Sequence, residues 1–202
     1  MKKTKTTEVI QNVAGELFQR FGFEKTSMDD IARRAHKAKR SIYYHFNSKE
    51  ALFCATVNNE LINVREQLQA TADDQTSPIL FRISNYLLQR VDLIAEARTL
   101  QVALKNKMLD SNDYRFEELK NTYNEFLQWE HSIFSNFWHH RPSIDSAEQI
   151  KLQADAFADM LQVVLNGLNH SFFVEDKYTS CKNSYSMLVK MIVNSIASNP
   201  NL

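Results

Sequence analysis

Three glycines and three prolines in 202 residues leave few places for this chain to break. With no stretch of alternating apolar and polar residues either, a strand-rich fold is excluded and an all-helical one is expected. The two cysteines, Cys54 and Cys181, are far apart and show no metal-ligand spacing. Both sit in helical pattern, so small buried hydrophobes are expected rather than a disulfide or a redox pair. No run of about 18 apolar residues occurs, which excludes a membrane-spanning helix. Lys2, Lys3 and Lys5 are followed by polar residues rather than an apolar run. No signal peptide is therefore read, and a cytoplasmic location is expected. A Gly-rich phosphate loop and a Ser-His-Asp order are both missing, so neither an enzyme nor a cofactor is expected. His131, His139, His140 and His170 contain no pair four residues apart. The neighbours His139 and His140 diverge by about 100° on a helix, so no metal site is expected.

What the chain does have is concentrated at its amino end. The formal net charge is zero, yet residues 1–50 hold 11 Lys/Arg against 6 Asp/Glu, a net of +5, and the remainder carries −5. That asymmetry points to a nucleic-acid-facing amino end.

Within it, residues 26–46 read as two short helices joined by a tight turn. Ser27, with Asp30 three residues on, marks a helix start. Met28, Ile31, Ala32 and Ala35 then recur on one face. A second helix, from about Ala38 to Phe46, places Ala38, Ile42 and Phe46 on one side. Arg40, Tyr43 and Tyr44 fall on the other, flanked by Lys39 and Ser41. So short a helix must be docked through its apolar side, leaving cations, hydroxyls and phenols outward. That face suits duplex DNA: arginine pairs with guanine in the major groove, and Lys, Ser, Tyr and His suit phosphate oxygens.

The rest of the chain continues in helical pattern. Ile10, Val13, Ala14, Leu17, Phe18 and Phe21 stripe a first helix that Gly22 is expected to end in the left-handed region. Ser48 opens a long helix to about Ala72. Further helices are expected from Pro78 to near Glu96, through Leu100 to Met108, and from about Tyr114 to a close at Pro142. Ser146 with Gln149 forms a capping box before a helix apolar around most of its girth. A last helix carries Tyr185, Leu188, Ile192 and Ile196 on one face. Asp155 and Asp159 share a helix face, as Glu130 and Glu125 do approximately, and such paired acids are expected to be solvated.

Gly22-Phe23, Thr26-Ser27, Ile31-Ala32, Ala35, Ile42 to Phe46 and Ser48 to Leu52 together resemble the amino-terminal domain of TetR-family transcriptional regulators. The resemblance covers roughly the first quarter of the chain. It departs from the family at His36, where Gly is usual in the turn, at Ala38, where Ser often caps, and at Arg40, where a small residue is usual. It implies an all-α architecture: a helix-turn-helix domain over 1–48, with the motif at about 26–46, then a ligand-binding and dimerisation domain over 49–202. The implied function is a ligand-responsive repressor that binds a palindromic operator as a dimer. An all-helical adaptor binding a protein through the same module is the alternative.

Carried over by position, Lys39 and Arg40 are expected at base edges, with Lys37 adding to the basic start of the helix. Thr26, Ser27, Ser41, Tyr43, Tyr44, His45 and Lys49 are expected at the DNA backbone. The last two long helices, about 147–172 and 179–198, are expected to pair with their twins in a homodimer. Aromatic residues are dense in the second domain, so a pocket for a small apolar or amphipathic effector is expected there. Its expected lining is Tyr86, Met108, Tyr123, Phe126, Trp129, Phe137, Met160 and Phe172.

Overall fold

The computed structural model describes residues 5–139 and 146–198. His140 and Pro142 lie outside them. The helices are α1 (Lys5–Lys25), α2 (Met28–Arg34), α3 (Lys39–His45), α4 (Lys49–Ala72), α5 (Ile79–Glu96), α6 (Arg98–Lys105), α7 (Glu117–His139), α8 (Ala147–Asn169) and α9 (Tyr178–Ser198). A 3-10 turn over Tyr114–Phe116 precedes α7, and a π-helical turn over His170–Val174 follows α8. Among the described residues no strand occurs. No helix among them is long and apolar enough to cross a membrane.

The chain divides into two compact units. The first comprises Met1–Asn63 and Glu96–Tyr123; the second comprises Val64–Ala95 and Asn124–Leu202. Helices α4 and α7 are therefore divided between them, as is the last residue of α5.

In the first unit, α1 turns its apolar stripe inward, burying Ile10, Ala14 and Phe18. Gly22 breaks the helix, at φ 80° and ψ 166°. This is a positive φ but not the expected left-handed helical region; it is an extended backbone essentially reserved to glycine. The chain then makes one more turn through Lys25, which swings Phe23 into the core. Phe18, Phe23, Phe53 and Phe116 form one aromatic cluster, with ring centroids 5.0–6.3 Å apart. Phe116 reaches this core from the 3-10 turn, far along the sequence.

The second unit is built on α5, whose inner face buries Ile83, Tyr86, Leu87, Val91 and Ile94. Against expectation, the same face carries Arg90, fully buried and paired with the equally buried Glu130 of α7. Glu130 is therefore not a solvated surface acid. The buried Arg82 donates from Nη1 to the carbonyl of Ala72 at 2.9 Å, satisfying the last carbonyl of α4. Ser146 and Gln149 close the expected capping box at α8. Cys54 is buried, and desolvation, followed by the nearby Glu118 charge, pushes its thiol up to about 11. Cys181 is only half-buried, less so than its helical pattern implied.

Candidate nucleic-acid interface

The recognition turn is assembled by local chemistry. Ser27 caps α2 with its hydroxyl accepting from the Asp30 amide at 3.1 Å, and Asp30 returns a carboxylate to the Ser27 amide at 3.3 Å. This reciprocal pair satisfies two of the amides orphaned at a helix start. It also holds the Asp30 carboxyl below its usual range, first through the Ser27 hydroxyl.

At the far end of α2 the Lys37 amide donates to the Ala32 carbonyl and the His36 amide to Arg33. That is the double bond pattern of a Schellman turn, and it requires a left-handed residue at His36. His36 takes φ 52°, as its place in the turn demands. A histidine there costs more than glycine, though less than a branched residue would.

The turn delivers α3 in one orientation. Ile42 and Phe46 are buried beneath it, and Ala38 starts it with no side-chain cap. Lys37, Lys39, Arg40 and Tyr43 are exposed, and Tyr44 is 84% exposed. Ser41 and His45 are half-exposed at the flanks. The structure thus brings Arg40, Tyr43 and Tyr44 onto one outward face. Lys39 shares that surface but is tethered: its ammonium meets the Asp29 carboxylate of α2 at 2.8 Å. His45 Nδ1 lies 3.4 Å from the Thr7 hydroxyl, so its ring is turned partly toward α1.

Two of the residues expected at the DNA backbone make contacts within the chain. Thr26 is only 3% exposed, and its hydroxyl donates to Gly22 at 2.8 Å and Leu17 at 3.2 Å. It ties off the carbonyls left open by the Gly22 break. Lys49 donates from Nζ to the Phe23 carbonyl at 2.9 Å and stands 4.2 Å over the Phe23 ring. Its charge closes the end of α1, in the way a basic residue completes a helix C-terminus. Ser27 remains exposed, with its hydroxyl committed to the cap.

The residues expected to line an effector pocket fall in both compact units, six of the eight in the second. Met108 and Tyr123 belong to the first compact unit. Tyr86 packs edge-on against Phe134 and Phe137, Phe126 lies beside Trp129, and Phe172 packs with Phe173, Tyr178 and Tyr185. Tyr86, Phe126, Phe137 and Phe172 are buried as core. Trp129 donates from its indole to Gln69 of α4 at 3.0 Å, with Arg65 over its ring at 5.1 Å.

Met160 is 48% exposed and lines an open groove of about 440 Å³ with Trp138, Phe157, Met191, Ile192 and Ile196. It belongs to an exposed stripe on α8, where Leu152 and Val163 are each 73% exposed. Met187 and Met191 face out in the same way on α9.

The polar core of the second unit escaped the sequence reading. Arg90 donates to Asn169 Oδ1 at 3.2 Å besides Glu130, and the Tyr86 hydroxyl lies 3.4 Å from the same carboxylate. Burial, then the Glu130 charge, pushes the Tyr86 phenol well above its ordinary range. The available signal was a charge at an inward position in two apolar stripes. Among the described residues no cluster of His, Cys, Asp and Glu is placed to hold a metal ion.

A tight two-helix turn presenting an exposed basic and phenolic face defines a helix-turn-helix module. Residues 10–56 match the model of bacterial regulatory proteins of the tetR family. The chain is 31% identical over 88 residues to the A-factor receptor protein of Streptomyces griseus, and that match spans 44% of this chain and 26% of the receptor. It is 27% identical over 122 residues to the biofilm operon negative transcriptional regulator IcaR of Staphylococcus epidermidis, spanning 55% of this chain and 65% of that protein. The chain thus spans less than two thirds of either relative. A transcriptional regulator from Aquifex aeolicus superposes with a TM-score of 0.69 at 20% identity, covering 93% of this chain and 99% of its own, and so shares the fold. Over residues 10–56 the chain is thus similar to bacterial regulatory proteins of the tetR family, and its fold is one that such regulators share.

Proposed function

We propose that the chain is a DNA-binding transcriptional repressor. Residues 1–48 would carry the DNA-reading domain and residues 49–202 the dimerisation and effector functions. The observation that carries this reading is α3 itself: Ile42 and Phe46 are buried beneath it while Arg40, Tyr43 and Tyr44 are exposed on its outer face. Arg40 reads a base edge, and Tyr43, Tyr44, Lys37 and Ser41 hold phosphates.

A two-fold dimer sets two such helices at half-site spacing. Support for the pairing surface is the exposed stripe of Leu152, Met160 and Val163 on α8 beside Met187 and Met191 on α9. Apolar residues in this number on adjacent helices are what an interface between copies covers. Gly167 stands on the same helix with open space where a Cβ would be, which suits close helix approach.

A small amphipathic effector would act on the second unit. A shift of α4, which continues into the first unit, would then alter the recognition helices.

The deciding experiment is selection of duplexes from a random pool by the full chain, followed by titration at several salt concentrations. A two-fold symmetric consensus with a steep salt slope is expected. Retention of duplexes without sequence preference would overturn the reading, and capture of a protein by the same face would favour the adaptor.

A further inference from the structure

The first turn of α6 has no cap of its own. Ala97 stands at the N-cap position and supplies no side-chain bond. The acceptor comes from another helix. Glu60 of α4 accepts from the Thr99 amide through Oε1 at 3.0 Å and from the Leu100 amide through Oε2 at 2.9 Å. Two carboxylate oxygens on consecutive amides do for α6 what an N-cap side chain does locally, and they sit at the positive end of its dipole.

This bracket lies against the helices that hold the recognition turn. Thr99 and Leu100 are fully buried. A Cβ on Gly15 of α1 would stand 3.2 Å from the Thr99 hydroxyl oxygen, so α1 and α6 are in near-contact there. Arg98 reaches Gln19 of α1 at 3.2 Å, and Gln11 of α1 donates to the Ala55 carbonyl of α4 at 2.8 Å. One carboxylate thereby joins α4 to α6 where both meet α1. Burial raises the Glu60 carboxyl above its ordinary value, while the Thr99 and Leu100 amides oppose that rise by favouring the charge.

We propose that Glu60 is a positioning residue for the DNA-reading module, fixing the start of α6 against α1 and α4 so that its release loosens the helices carrying the recognition turn. The inference rests on the DNA-binding reading above and goes beyond it by naming a contact that ties α6 to that module.

The test uses the full chain and the duplex selected by the wild type. Glu60→Ala removes both acceptors. Glu60→Asp keeps the charge but withdraws it by one methylene. Glu60→Gln keeps one acceptor at full reach. For Ala and Asp, amide exchange at Thr99 and Leu100 accelerates while α9 amides keep their rates, and affinity for the selected duplex falls about fivefold, the size of one lost cap. Glu60→Gln gives up the charge and turns an NH2 donor toward one of the two amides, so it falls between wild type and Glu60→Ala on both measures. Faster exchange with unchanged DNA affinity in both Ala and Asp variants overturns the proposal, as does unchanged exchange. If Glu60→Ala fails to fold, Glu60→Asp against Glu60→Gln decides on the same readouts. A wild type that selects no sequence overturns the DNA reading, and this inference with it. The exchange data would still report whether Glu60 caps α6.

Discussion

Arg90 and Glu130 meet in a two-pronged ion pair, Nε to Oε1 at 2.6 Å and Nη2 to Oε2 at 3.0 Å, from which solvent is wholly excluded. The attraction in such a pair is largely offset by the desolvation of both ions, so its presence is no measure of net stability. Breaking it is another matter, because the survivor is left as an uncompensated buried charge. Arg90→Met or Glu130→Leu alone is expected to cost about 3–5 kcal/mol, and the double variant to recover most of that loss. Denaturant unfolding of the three variants checks this, and equal losses in the single and double variants would contradict it.

Arg40 and Lys49 should separate cleanly in a DNA titration. Arg40→Ala is expected to lose about 1–3 kcal/mol, confined to particular operator positions. Lys49→Ala is expected to leave the salt slope unchanged and instead to lower the unfolding midpoint. It removes the Phe23 carbonyl bond and a cation–π contact of about 0.5–1 kcal/mol. A salt slope shallower by about one would return Lys49 to the phosphate backbone.

The α8 and α9 stripes make a prediction about assembly. Placing a carboxylate at Met160 or Met191, each now exposed in the isolated chain, would bury an unpaired charge if copies pair there. Met160→Glu and Met191→Glu are expected to sediment as monomers with intact helical content, and to bind the operator far more weakly. Dimers at wild-type strength would move the interface elsewhere.

Asp74, in the loop before α5, gives a pH dependence of defined sign. Hydrogen bonds from Ser77 first, then Thr76, hold its carboxyl down at about 2, from an ordinary value of 3.8. A depressed folded value stabilises above the unfolded one and is lost as the proton binds. The stability gap between wild type and Asp74→Asn is therefore expected to be full above pH 3.8 and to vanish as pH falls toward 2. Unfolding midpoints measured at steps from pH 5 to 2 report it.

The parts legible in the sequence are those set by neighbours a few residues apart. Ser27 with Asp30, the positive φ at His36 and the uncapped start at Ala38 all follow from spacing within a turn or two. The contacts of Thr26 and Lys49 within the chain could not be read from spacing, because they depend on the break at Gly22, which opens carbonyls that both side chains then close. Arg90 and Glu130 stood in apolar stripes, but each alone reads as a surface charge, and only the approach of two helices 40 residues apart turns them inward. Met160 shows the opposite ambiguity: an apolar position at helical spacing looks the same whether it faces its own chain or a second copy.

The ring of Phe116 beside Phe23 and Phe53 bears on any attempt to exchange reading heads between relatives. A graft cut at the end of the recognition motif would leave behind the plug that fills its own centre. Hybrid regulators built from this chain should carry the 3-10 turn along with the first four helices, or supply a substitute aromatic from the recipient.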